Sequence, residues 1–208
     1  MLDLEKNKTI FKVLKGGFDS NFTYIIGCPE TKKLALIDCS VEAYKISQTL
    51  NEMGDYKLDK ILITHSHFDH INSLKKIISD FPETKIYAHV LATNNIRKQC
   101  NLTIDFELQD NEIINLGNEK IRAIYTPGHQ PDCVCFLWQN KLFTGDTLFV
   151  ESTGRWDFPE SNPREHFESL KYLRGLDDNI EIYSGHDYGS KESSNIAYEK
   201  LYNPYFKN

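Results

Sequence analysis

Short apolar runs that stop abruptly in polar clusters organise this chain. Thr9 to Leu14 alternates loosely, as a half-buried strand does, and Gly16-Gly17 turns it. Asn21 to Gly27, with Phe22, Tyr24, Ile25 and Ile26, reads as a second strand. Leu34 to Asp38 is a run of the doubly buried kind that ends in an acid. Ser40 is placed to cap a helix from Val41 to Met53, where Ala43, Ile46, Leu50 and Met53 share one face and Gly54 stops it. Lys60 to Thr64 is a strand. One amphipathic helix comes next, with Ile71, Leu74, Ile77, Ile78 and Phe81 apolar, closed by Pro82.

Lys85 to His89 is a short strand, and Val90 to Leu108 reads as a short helix with irregular chain. Ile113-Ile114 and Lys120 to Thr126 are strands. Cys133 to Trp138 and Lys141 to Thr144 form a hairpin turning at Gln139-Asn140. A long loop, Thr147 to Ser161, precedes a helix capped by Asn162, with Pro163 at its first position and Phe167, Leu170 and Leu173 as its buried face. Ile180 to Ser184 is the last strand, and a final helix spans Ser193 to Leu201. The pattern contains no repeat, linker or low-complexity tract, so residues 1–208 read as a single domain of α/β (α+β) class.

The residues just past the strand ends carry the chemistry. After Thr64 come His65, His67, Asp69 and His70, three imidazoles and a carboxylate within six positions. Packing does not call for such a cluster, whereas His and Asp are common metal ligands. His65 and His67 point the same way on extended chain. Asp69 and His70 lie beyond a turn and aim at a second point, so one loop can serve two ions. Further candidates also sit behind strands: His129 after Thr126, Asp146 after Thr144 and His186 after Ser184. Loops at one rim of a rigid framework are where sites are built. Two sheets face to face with helices outside, a four-layer αββα sandwich, bring those ends together.

Composition narrows the function. The net charge of −6, with both signs interspersed, argues against a nucleic-acid partner. No apolar run approaches a membrane span, and Met1-Leu-Asp-Leu-Glu-Lys6 has no leader pattern. The five cysteines, Cys28, Cys39, Cys100, Cys133 and Cys135, contain no Cys-x-x-Cys pair, and an odd count cannot pair completely. They read as small buried hydrophobes in the reducing cytoplasm.

His65-x-His-x-Asp-His70, Thr126-Pro-Gly-His129, Thr144-Gly-Asp146 and Ser184-Gly-His186, in that order, resemble the metallo-β-lactamase superfamily. The resemblance implies metal site one from His65, His67 and His129, site two from Asp69, His70 and His186, and Asp146 bridging. It implies two divalent ions, zinc first with iron or manganese as alternatives. A hydroxide shared between the ions would be the nucleophile, attacking the carbonyl of a thioester or related ester.

Gly154-Arg155-x-Asp157-Phe158 and His186-Asp187-Tyr188 are similar to motifs of the glyoxalase II and persulfide dioxygenase branch, with Trp156 where Thr is usual. The expected partner is a small anionic thioester. Arg155 offers it a cationic fork or pins its own loop through Asp157. Tyr188 offers a hydroxyl or is structural, and Asp69 is a ligand with a catalytic role. Two alternatives stay open: a mononuclear Fe(II) persulfide dioxygenase using His65, His129 and Asp146, and a non-enzymatic metal-binding member. His89 and His166 read as structural or solvated, and Asp38 as a partner orienting a ligand His or a cap. The chain departs from the pattern at Asp38-Cys39-Ser40, Ile71-Asn72-Ser73, Gln130 and Asp132.

Overall fold

The computed structural model describes residues 9–207; the Met1–Lys6 start lies outside them. Strands β1 (Ile10–Gly16), β2 (Asn21–Cys28) and β3 (Lys33–Ile37) form an antiparallel meander. Strands β4 (Lys57–Leu62), β5 (Lys85–His89) and β6 (Phe106–Leu108) extend it in parallel. The parallel pairings need crossovers, and these contain α1 (Ala43–Glu52), then α2 (Phe68–Ile71) with α3 (Leu74–Asp80), then α4 (Thr93–Cys100).

The second sheet is ordered β12-β11-β10-β9-β8-β7. Its strands are β7 (Ile113–Leu116), β8 (Glu119–Tyr125), β9 (Val134–Trp138), β10 (Lys141–Gly145), β11 (Glu181–Ser184) and β12 (Ser194–Asn195). Helix α5 (Pro163–Arg174) crosses from β10 to the parallel β11, and α6 (Ile196–Tyr202) comes after β12.

Three apolar layers show why runs such as Tyr24-Ile25-Ile26 do not alternate. Phe22, Tyr24 and Ile26 face the second sheet, where Ile121, Phe136, Trp138 and Phe143 meet them. Ile25 faces the opposite way, into a layer with Ile46, Leu50, Leu74, Ile77 and Ile96 of the helices. Beyond the second sheet, Cys135, Leu142 and Ile182 pack on Leu170, Leu173 and Ile196. The architecture is therefore the expected αββα sandwich.

Several local expectations shift. Ser40 does not cap α1: its backbone N–H donates to Thr23 Oγ1 at 3.1 Å, and Glu42 is the N-cap, without a side-chain bond. The single helix expected around Ile71 is two, because Asp69 and His70 already lie in the short α2. Val90 to Leu108 holds more regular structure than expected, a 3₁₀ turn (Val90–Ala92), α4 and β6. Asn162 does cap α5, accepting from Arg164 and Glu165 N–H at 3.1 and 3.3 Å. Its buried face is His166, Ser169, Leu170 and Leu173, spaced for one stripe, which leaves Phe167 41% exposed. All five cysteines are buried and free. Among the described residues, no helix is long and apolar enough to cross a membrane.

The two sheets are stitched at one rim. Val134 N–H donates to Thr64 O and Phe22 N–H to Gly185 O, each at 2.8 Å. That rim is where the polar clusters emerge.

Candidate metal centre

The cluster divides into two groups whose donor atoms converge: His65, His67, His129 and Asp146, and Asp69, His70 and His186. In the first, His67 Nδ1 lies 3.0 Å from both His65 Nε2 and His129 Nε2. Asp146 Oδ2 is 3.9 Å from His65 Nε2 and 3.6 Å from His129 Nε2. In the second, His70 Nε2 and His186 Nε2 are 3.2 Å apart, and Asp69 Oδ2 is 3.6 and 3.2 Å from them. Asp146 also faces this group, with Oδ1 3.2 Å from His70 Nε2 and Oδ2 3.4 Å from His186 Nε2. All seven ligand positions read from the sequence thus meet at one place.

The other nitrogen of each ring shows which atom is free to ligate. His129 Nδ1 donates to Arg155 O at 2.7 Å, and His186 Nδ1 to Asp19 O at 2.8 Å. A carbonyl only accepts, so both rings carry the proton on Nδ1 and turn an Nε2 lone pair inward. His70 Nδ1 donates to Asp38 Oδ2 at 2.8 Å, with the same result. Asp38 is thus the orienting partner, not a simple cap. It adopts a left-handed φ of 58° and also accepts from Thr64 N–H and Thr64 Oγ1, both at 2.7 Å. Thr64 Oγ1, its own proton given to Asp38, is left to accept from His65 Nδ1 at 3.2 Å.

Charge at the centre calls for a cation. Burial pushes the Asp146 carboxyl up, but the imidazoles of His70 and His186 outweigh it and hold it well below the usual carboxylate range. Burial opposes charge on His186 too, yet hydrogen bonds from a second proton, on Nε2, to Asp146 and Asp69 raise its pKa to about 10; that proton stands where a dication would meet the Nε2 lone pair. Buried carboxylates at this spacing demand positive charge among them. On the other side, burial and then His129 lower His67 to about 4, and burial and then His70 lower His65 well below its ordinary value. Those rings are neutral donors near pH 7. One Asp146 oxygen, Oδ1, is buried without a well-formed hydrogen bond. Gly185 leaves the gap: a Cβ there would come within 2.5 Å of Asp146 Oδ1 and 2.6 Å of His70 Cε1. Neutral imidazole and carboxylate donors in this arrangement fit transition-metal dications.

The remaining predicted residues lie at the rim. The Tyr188 ring stacks on His186, with centroids 4.6 Å apart, and its hydroxyl donates to the Asp19 carboxylate. It is 49% exposed, so it is not a buried structural tyrosine. Arg155 forms a two-pronged pair with Asp157 at 2.8 and 3.0 Å and lies over Phe158, whose ring abuts His67 and His129. Phe68 and Phe18, 60% and 80% exposed, meet edge to face beside Asp69. His89 accepts from Leu91 N–H and stacks on Tyr125, a structural role.

Sequence reading missed the partners of four supporting residues. Asn21 donates to Asp69 Oδ2 at 2.9 Å. Asp132 accepts from Ser66 N–H, between His65 and His67, at 3.1 Å. His166 is fully buried, with Nε2 2.6 Å from Thr153 Oγ1, and Trp156 stacks on it. Gly128, with φ +133°, lies against the His166 backbone, where a Cβ would come within 2.2 Å. An Asn heading an apolar strand is a poor strand former and was the one available signal.

The metallo-beta-lactamase superfamily model matches residues 16–186. The probable polyketide biosynthesis zinc-dependent hydrolase PksB of Bacillus subtilis (strain 168) is 29% identical over 189 residues, 90% of this chain and 82% of its own. The hydroxyacylglutathione hydrolase of Francisella tularensis subsp. novicida is 39% identical over 134 residues, 64% of this chain, and the match spans 50% of that relative's length. The crystal structure of ETHE1 from Myxococcus xanthus superposes with a TM-score of 0.82 at 29% identity, covering 94% of this chain and 83% of the other.

Proposed function

This chain belongs to the metallo-beta-lactamase superfamily, in the branch of glyoxalase II and persulfide dioxygenase, and from that premise we propose that it hydrolyses a small thioester or related ester. The observation that carries this reading is the pair of converging donor groups with Asp146 facing both. His65, His67, His129 and Asp146 would hold one divalent ion, and Asp69, His70 and His186, with Asp146, a second. Zinc is the first choice, as in the name of the PksB relative, with iron or manganese as alternatives. Such ions, when bound, supply Lewis acidity and acidify water enough for it to act as a nucleophile near neutral pH.

The protein's own groups do the rest. Asp38 and the carbonyls of Asp19 and Arg155 hold three rings in the ligating tautomer, a form of preorganisation. Asp69, with its side chain 23% exposed against 10% for Asp146, is the carboxylate placed to pass a proton between the site and solvent. Phe68, Phe18 and Tyr188 offer apolar flanks for an acyl or thiol group. Arg155 would meet an anionic substrate by exchanging its hold on Asp157.

A second reading is favoured by the likeness to ETHE1 over most of the chain. His65, His129 and Asp146 form a two-histidine, one-carboxylate face suited to a single ferrous ion in a persulfide dioxygenase. Elemental mass spectrometry followed by paired assays separates the two. Near two ions per chain with thioester hydrolysis after zinc reloading supports the hydrolase. About one iron, with oxygen uptake on a persulfide and no hydrolysis, overturns it in favour of the dioxygenase.

A further inference from the structure

We propose that Asn21 is the positioning residue that fixes the Asp69 carboxylate and thereby decides how tightly the Asp69–His70–His186 group holds its cation. The inference rests on the two-ion reading above. Asn21 is fully buried at the head of β2. Its amide is oriented without ambiguity: Oδ1 accepts from Asp19 N–H at 3.0 Å, so Nδ2 is the atom 2.9 Å from Asp69 Oδ2, which can only accept. Nδ2 also lies 3.4 Å from His186 Nε2, and Asn21 forms a backbone bridge with His186. One side chain thus touches two of the three ligands of this group.

Asp69 has little else to hold it. It sits on a four-residue helix, and among the described residues Asn21 is the only hydrogen-bond donor on its carboxylate apart from the imidazoles of the group itself. Without that bond, a partly exposed carboxylate is free to rotate toward water. With it, one lone pair of Oδ2 is taken and the oxygen is anchored beside His186. The turn before β2 is shaped around the amide: Gly17 has φ +72°, and a Cβ there would meet Ser40 O at 2.4 Å and Asn21 Oδ1 at 3.1 Å. Asn21 has no hydrogen bond to the other group, where His65 and His129 are fixed by Thr64 and Arg155.

The test is zinc titration of the apoprotein by calorimetry, with imidazole NMR to assign each ion to its histidines. Asn21→Leu keeps the volume and removes the donor; Asn21→Ala removes both. The first ion, reported by His65 and His129, should bind within about threefold of the unaltered protein, and the second, reported by His70 and His186, about 10–100-fold more weakly. Circular dichroism of the apoproteins checks folding. If neither variant folds, Asn21→Ser, whose shorter side chain keeps a polar group at the turn and withdraws the donor from Asp69, should give the same selective loss. Unchanged affinity for both ions, or equal weakening at both groups, overturns the proposal. A single ion in the unaltered protein overturns the two-ion reading and the inference with it, and that result is read before any variant is made.

Discussion

His129 and His186 close the two halves of the centre, and each is fixed through Nδ1 by a backbone carbonyl, yet the carbonyls belong to segments of different kinds. Arg155 O, which holds His129, lies in the long loop after β10. That loop is fastened by Thr153 to His166 and Thr147 O, by Ser161 Oγ to His129 O at 2.7 Å, and by Asn162 N–H to Gly128 O at 2.8 Å. Asp19 O, which holds His186, lies in the short turn between β1 and β2, with Phe18 80% exposed beside it. The first half is clamped onto a helix, while the second is completed by a surface turn. The two rings are thus fixed by unlike means: a long loop tied to α5 on one side, and on the other a short turn tied to the Asp187–Tyr188 segment through Asp187 N–H to Ser20 O and the Tyr188 hydroxyl to Asp19.

Asp146 belongs to both halves, and its change breaks the comparison outright. Asp146→Asn should abolish retention of both ions and lower thioester hydrolysis by more than about 1,000-fold, well past the loss expected of a mere supporting group; elemental analysis beside kinetics reads both effects. His67→Ala should separate the halves. Hydrolysis falls by at least about 100-fold while the ion of the Asp69–His70–His186 group stays, and retention of hydrolysis would count against two-ion chemistry.

His166 sharpens the comparison through stability. Burial holds its pKa down at about 4, against 6.5 when free. Between those values the unfolded chain binds the extra proton, so this contribution is complete above the unfolded pKa and is lost as pH falls toward the folded one. From about pH 7 to about pH 5.5 the apoprotein should lose about 1 kcal/mol more than His166→Gln, measured by urea denaturation. The smallest effect is at Arg155. Arg155→Ala should raise KM for a carboxylated thioester by roughly two- to fivefold and leave a neutral one unchanged, since the exposed guanidinium gives up one ion pair to form another.

The layers and the ligands were legible because both rest on local rules. Apolar runs flanked by turns mark strands, and His or Asp just beyond a strand end marks a rim. The supports were not legible, because each joins distant positions. Asn21 finds Asp69 and Asp132 finds Ser66 only after the sheets pair. His166, read as structural or solvated, is structural, and the Gly128 and Trp156 surfaces that enclose it are brought to it only by the fold. Ser40 is no cap because the helix starts later, after Glu42, while Thr23 Oγ1 accepts from the Ser40 and Val41 N–H groups and holds that stretch outside it. Phe167 was placed inside from its apolarity, although the α5 stripe passes through His166 and Leu170 instead.

The stitched rim also sets an order of assembly. The segment His65–His70 emerges early in synthesis, whereas Asp146 and His186 come from the second sheet, and the His186–Asp19 bond spans 167 positions. Until that sheet docks, the nascent chain offers two donors of the first group and two of the second. An ion meeting the chain at that stage would find only part of each donor set; the complete sets exist only once the two sheets have closed on each other.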